Sequence, residues 1–406
     1  MSTRALQFVN SFVGRPGNIG VRTGRVLEAL SAQGGGGACV CRGAQTHAKG
    51  VRYAEMGLLG HAPRLLNAVR IYLAPGFNHR LADIALFEWF ALRHLGAMLK
   101  GKGAETAHVW DVCPRLITRL RQEGRFVVLD VPIAPLTYAK RLHQEGRASF
   151  LLDDLRLREV ELEAFGRADM LIAPSRFVSD ELIHAGADPG RIAVVEFGVG
   201  KPMALSKTAG EHRKTGGLEF CFAGTVNRRK GIPDLIAAWS HPDFTRDRLH
   251  LCGRVFPEVS EVLAGAGGGA IITPGFVDTF SYFPQCDVFV FPSWLEGSAK
   301  AVYEAMACGL PVIVTRSAGS IVRDGVEGFV IDAGDVGGLR ERMLWFKDNP
   351  DRLRAMGEAA RNRAQEFSWG RYAERVIGLY RPPGRNKEMG VVNHSGDGAE
   401  AAAANE

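Results

Sequence analysis

Two glutamates, Glu296 and Glu304, stand eight positions apart in the stretch EGSAKAVYEAMACGLPV (296–312), with small and apolar residues between them. The run VFVFPS (288–293) just before them reads as a buried strand and Trp294 to Gly297 as a turn. AKAVYEAMAC then reads as a helix stopped by Gly309 and Pro311, with Ser298 placed to cap it. The free N–H groups of Gly297, Ser298 and Ala299 would form a positive helix end suited to a diphosphate or a polar sugar face. Glu304 lies roughly 9 Å farther along at the helical rise per residue. Carboxylates accept paired hydroxyl hydrogen bonds, which vicinal diols supply. The pair thus straddles a helix end at a separation comparable to that between ribose and hexose in a sugar nucleotide. Taken alone, two glutamates at this spacing read more simply as the charges of an amphipathic helix and its loop, so the rest of the chain has to decide.

Short apolar runs rich in β-formers alternate with helical patterns from end to end, the sequence form of βαβ units on parallel sheets. In the first half these runs are LQFVNSF (6–12), ACVC (38–41), AHVW (107–110), FVVLDV (126–131), MLIAPS (170–175) and IAVVEF (192–197). The second half adds EFCFAG (219–224), LHLCG (249–253), AIITPG (270–275), VFVFPS, PVIVT (311–315) and GFVID (328–332). The polar, glycine-bearing segment GVGKPMALSKTAGEHRKTGG (198–217) between them carries no hydrophobic period. The expected fold class is α/β: two Rossmann-like domains, parallel sheets facing a central cleft. Residues 1–200 form the first domain, 201–217 a linker, 218–366 the second domain, and 367–380 a final helix packing back on the first; the polar tail 383–406 is expected to be disordered.

At 406 residues, 46% hydrophobic and 23% charged, the chain is neither fibrous nor disordered. Its 50 basic and 44 acidic residues leave a net charge of +6, spread along the chain and without a nucleic-acid motif. The 7 cysteines lack both zinc spacing and a disulfide framework, as expected of buried thiols in a cytoplasmic protein. The N-terminus reads as a first strand, with no signal peptide. The segment 81–100 is too charged to span a bilayer and reads as an amphipathic helix whose Phe87, Trp89 and Phe90 are candidates for peripheral membrane contact.

Several motifs in order resemble the retaining, family-4-type glycosyltransferases of the GT-B fold. ADMLIAPSRFVSDELIHAGADPGRIAVVEFGV (168–199) is similar to the family's close of the first domain and FAGTVNRRKGIPDLIAAW (222–239) to its phosphate-binding loop. FVFPSWLEGSAKAVYEAMACGLPVIVTRSAG (289–319) is similar to its glutamate motif, and VRDGVEGFVIDAGD and FSWGRYAERV complete the pattern. The resemblance implies a metal-independent transfer of a sugar from a UDP- or GDP-sugar donor to a hydroxyl acceptor, with no separate cofactor. It implies that Glu296 binds donor-sugar hydroxyls, Glu304 the ribose, and Lys230 the diphosphate, with Arg229 or Arg228 assisting. A leaving nucleoside diphosphate gains negative charge as the glycosidic bond breaks, and fixed cations can stabilise it. PGFV (274–277), with Phe276, resembles the place where relatives hold the nucleobase by backbone groups, with Arg254 at its border.

This chain departs from the pattern at two points. Many relatives carry an arginine directly after the loop glycine, where Thr225 stands; the long forked side chain of Arg228 or Arg229 is the expected substitute. Where relatives often place a histidine facing the reacting carbon, Asp130 stands, a candidate for acceptor or sugar contact or for a structural turn. Gly14, Gly17 and Gly20 follow the first strand with GxxGxxG spacing, which differs from the dinucleotide fingerprint but lets backbone approach phosphate or sugar; Arg15 and Arg22 lie beside them. Asp153 and Asp154 sit in a helical stretch without the spacing of a DxD metal motif, and the 11 histidines show no zinc pairing. Two alternatives stay open: a non-catalytic sugar-nucleotide-binding protein, and another enzyme of this fold such as a sugar-nucleotide epimerase. The acceptor, whether glycan, lipid-linked sugar or small molecule, is not legible in the loops of 43–105, and surface-polysaccharide synthesis is implied only at the level of the family.

Overall fold

The computed structural model describes residues 3–15, 18–72, 77–100, 104–151, 155–200 and 216–380. Two parallel sheets organise them. The first holds β1 (Arg4–Val13), β2 (Gly36–Ala44), β3 (Val51–Glu55), β4 (Thr106–Val109), β5 (Phe126–Asp130), β6 (Met170–Ala173) and β7 (Ile192–Val194) in the order β3-β2-β1-β4-β5-β6-β7. The second holds β8 (Glu219–Ala223), β9 (Arg248–Cys252), β10 (Ala270–Gly275), β11 (Val288–Phe291), β12 (Val312–Thr315) and β13 (Gly328–Ile331) in the order β10-β9-β8-β11-β12-β13. The expected α/β class with two parallel sheets is what the chain adopts.

The central strands are apolar runs because helices cover both their faces. Phe220 and Phe222 of β8 and Phe289 and Phe291 of β11 are all buried, and the rings of Phe222 and Phe291 stack 5.4 Å apart. Each such ring contributes on the order of 1.5–3 kcal/mol by leaving water. β3 is absent from the sequence reading for the same physical reason in reverse. VRYAE is an edge strand with no fully buried residue, so it carries no apolar run.

In each sheet the strand order reverses direction beside the first strand, β1 next to β4 and β8 next to β11. Crossovers leave on opposite faces at such a point, so the loops at the strands' carboxyl ends part and open a crevice. In the second sheet those loops carry Thr225 to Lys230 after β8 and Trp294 to Ala299 after β11.

The helix Trp369–Gly378 returns to the first domain and packs against the helix Asn18–Ala32. Just beyond it, the Tyr380 hydroxyl accepts from Gln7 Nε2 at 2.9 Å and lies 2.7 Å from His108 Nδ1, while its carbonyl accepts from Thr106 Oγ1 at 2.6 Å. The chain therefore crosses between the domains twice, and the crossings run side by side: the Val199 N–H donates to the Phe367 carbonyl at 2.9 Å and Val199 bridges to Ser368.

The helix His79–Leu99 corrects the membrane reading of 81–100. Phe87 and Phe90 are buried in the first domain's core beside Ile84, Ala91 and Leu95, and only Trp89, 53% exposed, faces out. A charged face outside and aromatics inside is the pattern of an ordinary core helix. No helix among the described residues is long and apolar enough to cross a membrane. Gly17, Asp153, Asp154, most of the expected linker and the tail 383–406 lie outside the described residues.

Candidate active site

After β8, Asn227 caps the short turn Arg228–Lys230, its side chain accepting the Lys230 N–H at 3.1 Å. Gly231 then holds φ +71°, and a Cβ there would stand 1.9 Å from the Pro292 carbonyl oxygen, so only glycine lets this loop close against the one after β11. That close approach brings RRK to Glu296. Lys230 Nζ and Arg229 Nη1 both donate to Glu296 Oε1, the arginine at 3.0 Å, and the Ser293 hydroxyl adds a third donor at 3.3 Å. Arg229 Nη1 also donates to the Leu295 carbonyl at 2.7 Å, and the Lys230 ammonium lies 4.9 Å from the centre of the Phe291 ring. Burial pulls the Lys230 pKa below the ordinary lysine value; Glu296 pushes it back up and Arg229 adds to the lowering.

All three donors converge on one oxygen. The other, Oε2, has no donor among the described residues, and the Glu296 side chain keeps 13% of its surface open. The backbone of Glu296 is clamped between domains: its N–H donates to the Ser317 carbonyl at 3.1 Å, and its own carbonyl accepts the Ala134 N–H of the first domain at 3.2 Å. Next to it, Ser175 Oγ donates to the Gly297 carbonyl at 2.6 Å. Trp294 also crosses the boundary. Its indole N–H donates to Asp234 Oδ2 at 2.6 Å, while its ring packs within the first domain's apolar cluster against Phe150 and beneath the Arg147 guanidinium.

The helix over this loop runs Lys300–Ala307, one residue later than expected. Ser298 does not cap it; its hydroxyl pairs with Tyr303 OH at 3.0 Å. The Ala299 N–H is not free either, since it donates to the Ala318 carbonyl at 3.2 Å. Gly297 and Ser298 keep N–H groups that donate to no carbonyl among the described residues. Glu304, 7% exposed, accepts from Thr279 Oγ1 at 3.0 Å through one carboxylate oxygen and forms an ion pair with Lys300 Nζ at 2.9 Å through the other, so both retain acceptor capacity.

The remaining candidates stand apart from this cluster. Arg228 is exposed and enters through its backbone, donating to Glu258 at 2.9 Å, while Thr225 is half-buried. Arg254 lies over the Phe256 ring at 5.1 Å, and its carbonyl accepts the Val226 N–H at 2.9 Å, joining the loops after β8 and β9. Phe276 is 88% exposed just after β10. Asp130 is held by Arg22 through both oxygens, with the Arg22 guanidinium over the Phe197 ring at 4.6 Å and the Trp110 ring at 5.2 Å. Burial raises the Asp130 pKa above the usual carboxylate value, Arg22 opposing it. With its side chain fully buried, Asp130 is a structural counter-charge in this conformation and presents no oxygen to a sugar. Among the described residues no group of three or more His, Cys, Asp or Glu is placed to hold a metal ion.

Sequence reasoning missed Asn227, Ser293 and Thr279. Asn227, three residues before Lys230, carries a capping signal that could have been read. Ser293 and Thr279 meet the glutamates only through the fold.

Residues 217–349 match the family described as Glycosyl transferases group 1. A D-inositol 3-phosphate glycosyltransferase of Streptomyces bingchenggensis is 29% identical over 252 residues, covering 54% of this chain and 54% of its own. The matched region thus spans about half the length of such curated relatives. Among solved structures, sucrose-phosphate synthase from Thermosynechococcus elongatus aligns with a TM-score of 0.67 at 20% identity, over 94% of this chain and 98% of its own. Anabaena HepE, solved in complex with UDP-glucose, aligns with a TM-score of 0.63 at 16% identity, over 92% and 98%. Residues 217–349 are therefore similar to the group 1 glycosyltransferases, on a chain whose two parallel sheets have the GT-B fold.

Proposed function

We propose that the protein is a retaining glycosyltransferase that moves a sugar from a nucleoside-diphosphate donor to a hydroxyl acceptor without a metal ion. The observation that carries this reading is the half-satisfied carboxylate of Glu296: two cations and a hydroxyl on Oε1, none on Oε2. Oε2 is left to accept sugar hydroxyls, and the same two cations are available to a diphosphate's charge. Glu304, with one partner on each oxygen, accepts the ribose diol. The free N–H groups of Gly297 and Ser298 meet phosphate or sugar oxygens.

In the reaction the bond from the anomeric carbon to the diphosphate oxygen breaks and the bond to the acceptor oxygen forms on the same face. The departing phosphate takes the acceptor's proton. Lys230 and Arg229 stabilise the charge that develops there, a contribution of about 3–4 kcal/mol for one well-placed donor. Glu296 is engaged by both cations and Asp130 by Arg22, so neither carboxylate is disposed as a nucleophile, which favours this front-face route. The solved neighbour with UDP-glucose supports a uridine donor over guanosine.

Thermal-shift titration with UDP, GDP, ADP and their sugar conjugates tests the donor, since binding to the native state raises Tm by mass action. Transfer from the stabilising donor, followed by NMR of the product's anomeric proton with and without EDTA, tests retention and metal independence. Inverted product, or activity lost to EDTA and restored by a divalent cation, would overturn those parts. A folded protein that no nucleotide stabilises would overturn the whole.

A further inference from the structure

The first sheet carries a second concavity, at the end away from the cleft. A cavity of about 300 Å³ opens there at the amino ends of the strands, lined by Arg4 of β1, Arg52 of β3, Lys100 at the end of the helix His79–Leu99 and Arg125 just before β5. Four cations from separate elements meet at it, and no aspartate or glutamate among the described residues lines it. Gathering like charges round one concavity raises its potential and costs free energy until an anion enters. The cavity and the cleft stand at opposite ends of β1, whose 10 residues span roughly 30 Å at the rise of an extended strand.

The cations are held in place by backbone oxygens. Arg52 donates through Nη1 and Nη2 to the Ala97 and Met98 carbonyls at 3.2 and 2.9 Å, which covers the negative end of a helix that would otherwise repel an anion. Arg125 Nη1 donates to the Ala104 carbonyl at 2.6 Å, while its Nε is buried with no hydrogen-bond partner among the described residues. A buried donor without an acceptor is costly, and a ligand oxygen would relieve it. None of Arg52, Lys100 and Arg125 has a carboxylate partner among the described residues. Glu105, next to Ala104, is exposed and does not line the cavity. Opposite the charges, one wall is bare backbone: a Cβ would stand 2.4 Å from the Gly50 carbonyl oxygen at Gly36 and 1.9 Å from that of Ala5 at Gly37. Leu6, Met98 and Leu99 supply an apolar side.

We propose that this cavity binds a small phosphorylated molecule, its phosphate met by Arg4, Arg52, Lys100 and Arg125 and a sugar-sized body lying against Leu6, Met98 and Leu99. Guanidinium groups match phosphate oxygens in geometry as well as charge. A few convergent polar groups beside an apolar side are the make-up of a small-molecule site, and the volume is at the lower end for such sites. That size suits a hexose phosphate and falls short of a dinucleotide. The site is separate from the Glu296 cluster and does not rest on the transferase assignment.

Isothermal titration of the full chain with glucose 6-phosphate, inorganic phosphate and glucose tests it. The expected result is saturable binding of one glucose 6-phosphate, tighter than inorganic phosphate, weakened by salt and absent with glucose. Lys100→Glu and Arg125→Gln should each raise the Kd roughly tenfold or more, the worth of one charged hydrogen bond. Lys100 is exposed, so its variant should keep the wild-type Tm and serves even if Arg125→Gln, which gives up the tie to Ala104, loosens the fold. Lys230→Ala, at the other site, should leave the Kd unchanged. No saturable binding of either phosphate, equal binding of glucose, or an unchanged Kd in both cavity variants would overturn the proposal. So would loss of binding in Lys230→Ala, which would place the phosphate in the cleft. Inorganic phosphate binding as tightly as glucose 6-phosphate would overturn the part given to the apolar side.

Discussion

Gly297 sits against Pro132 so closely that a Cβ on the glycine would stand 1.8 Å from the proline carbonyl oxygen. The loop after β11 of the second domain and the loop after β5 of the first are in backbone contact at the residue beside Glu296. Gly297→Ala should force these loops apart while leaving each domain's core intact. A displacement of about 1 Å at a reacting centre costs on the order of 10²-fold in rate. Transfer assays should show a loss of that size with circular dichroism unchanged; full activity would mean that the loops part during turnover.

Lys230→Ala should lower kcat by about 10²–10³-fold, the scale for removing one donor aimed at developing charge. Because Arg229 still holds Glu296, the variant should fold and bind the donor. Arg229→Lys should cost less than Arg229→Ala, since the lysine restores charge without the forked geometry. Steady-state kinetics separate these effects, and equal kcat in wild type and Lys230→Ala would remove the lysine from the leaving-group role.

Glu304→Ala should weaken nucleoside diphosphate binding by roughly 10–100-fold, the worth of hydrogen bonds to one charged acceptor. Thr279→Val should do so more mildly, by loosening the carboxylate it holds. Isothermal titration with UDP and GDP measures both. An unchanged Kd in Glu304→Ala would place the ribose elsewhere.

His108 gives a pH dependence of stability. Its ring is fully buried, and burial, with the Arg22 charge adding to it, holds its pKa well below the ordinary value of 6.5. As pH falls through about 6.5 the unfolded chain gains a proton that the native state refuses, so stability falls, by up to ~1.4 kcal/mol per pH unit. Above that value this contribution is flat. Denaturant unfolding of wild type and His108→Gln between neutral and mildly acidic pH should show a shallower slope in the variant, whatever its absolute stability. Parallel slopes would mean that the ring protonates in the native state.

The parts of this molecule that the sequence made legible are those that depend on neighbours along the chain. Strands buried on both faces are apolar runs, so β5 and β11 announced themselves, while β3 at the sheet edge did not. EGSAKAVYE runs from one loop into the helix that follows it and NRRK lies within one turn, and their residue types alone suggest a polar, anionic ligand. That Lys230 and Arg229 share one oxygen of Glu296 is a fact of tertiary structure, because 66 residues separate Lys230 from Glu296. Arg22 and Asp130 are 108 residues apart, and nothing local marks the aspartate as a buried counter-ion. The expected helix start failed for a similar reason: Ala318, from the next loop, takes the N–H that the local pattern left free.

The double crossing at Val199 and Phe367 makes the two halves complementary fragments. A backbone cut anywhere in 201–215 would leave the first piece without the helix Trp369–Gly378 that covers its helix Asn18–Ala32, and that helix would remain part of the second piece. The fragments would stay together without a covalent link, as a split protein does. The first 200 residues made alone would instead present Gln7, Thr106 and His108 to water, where Tyr380 now meets them.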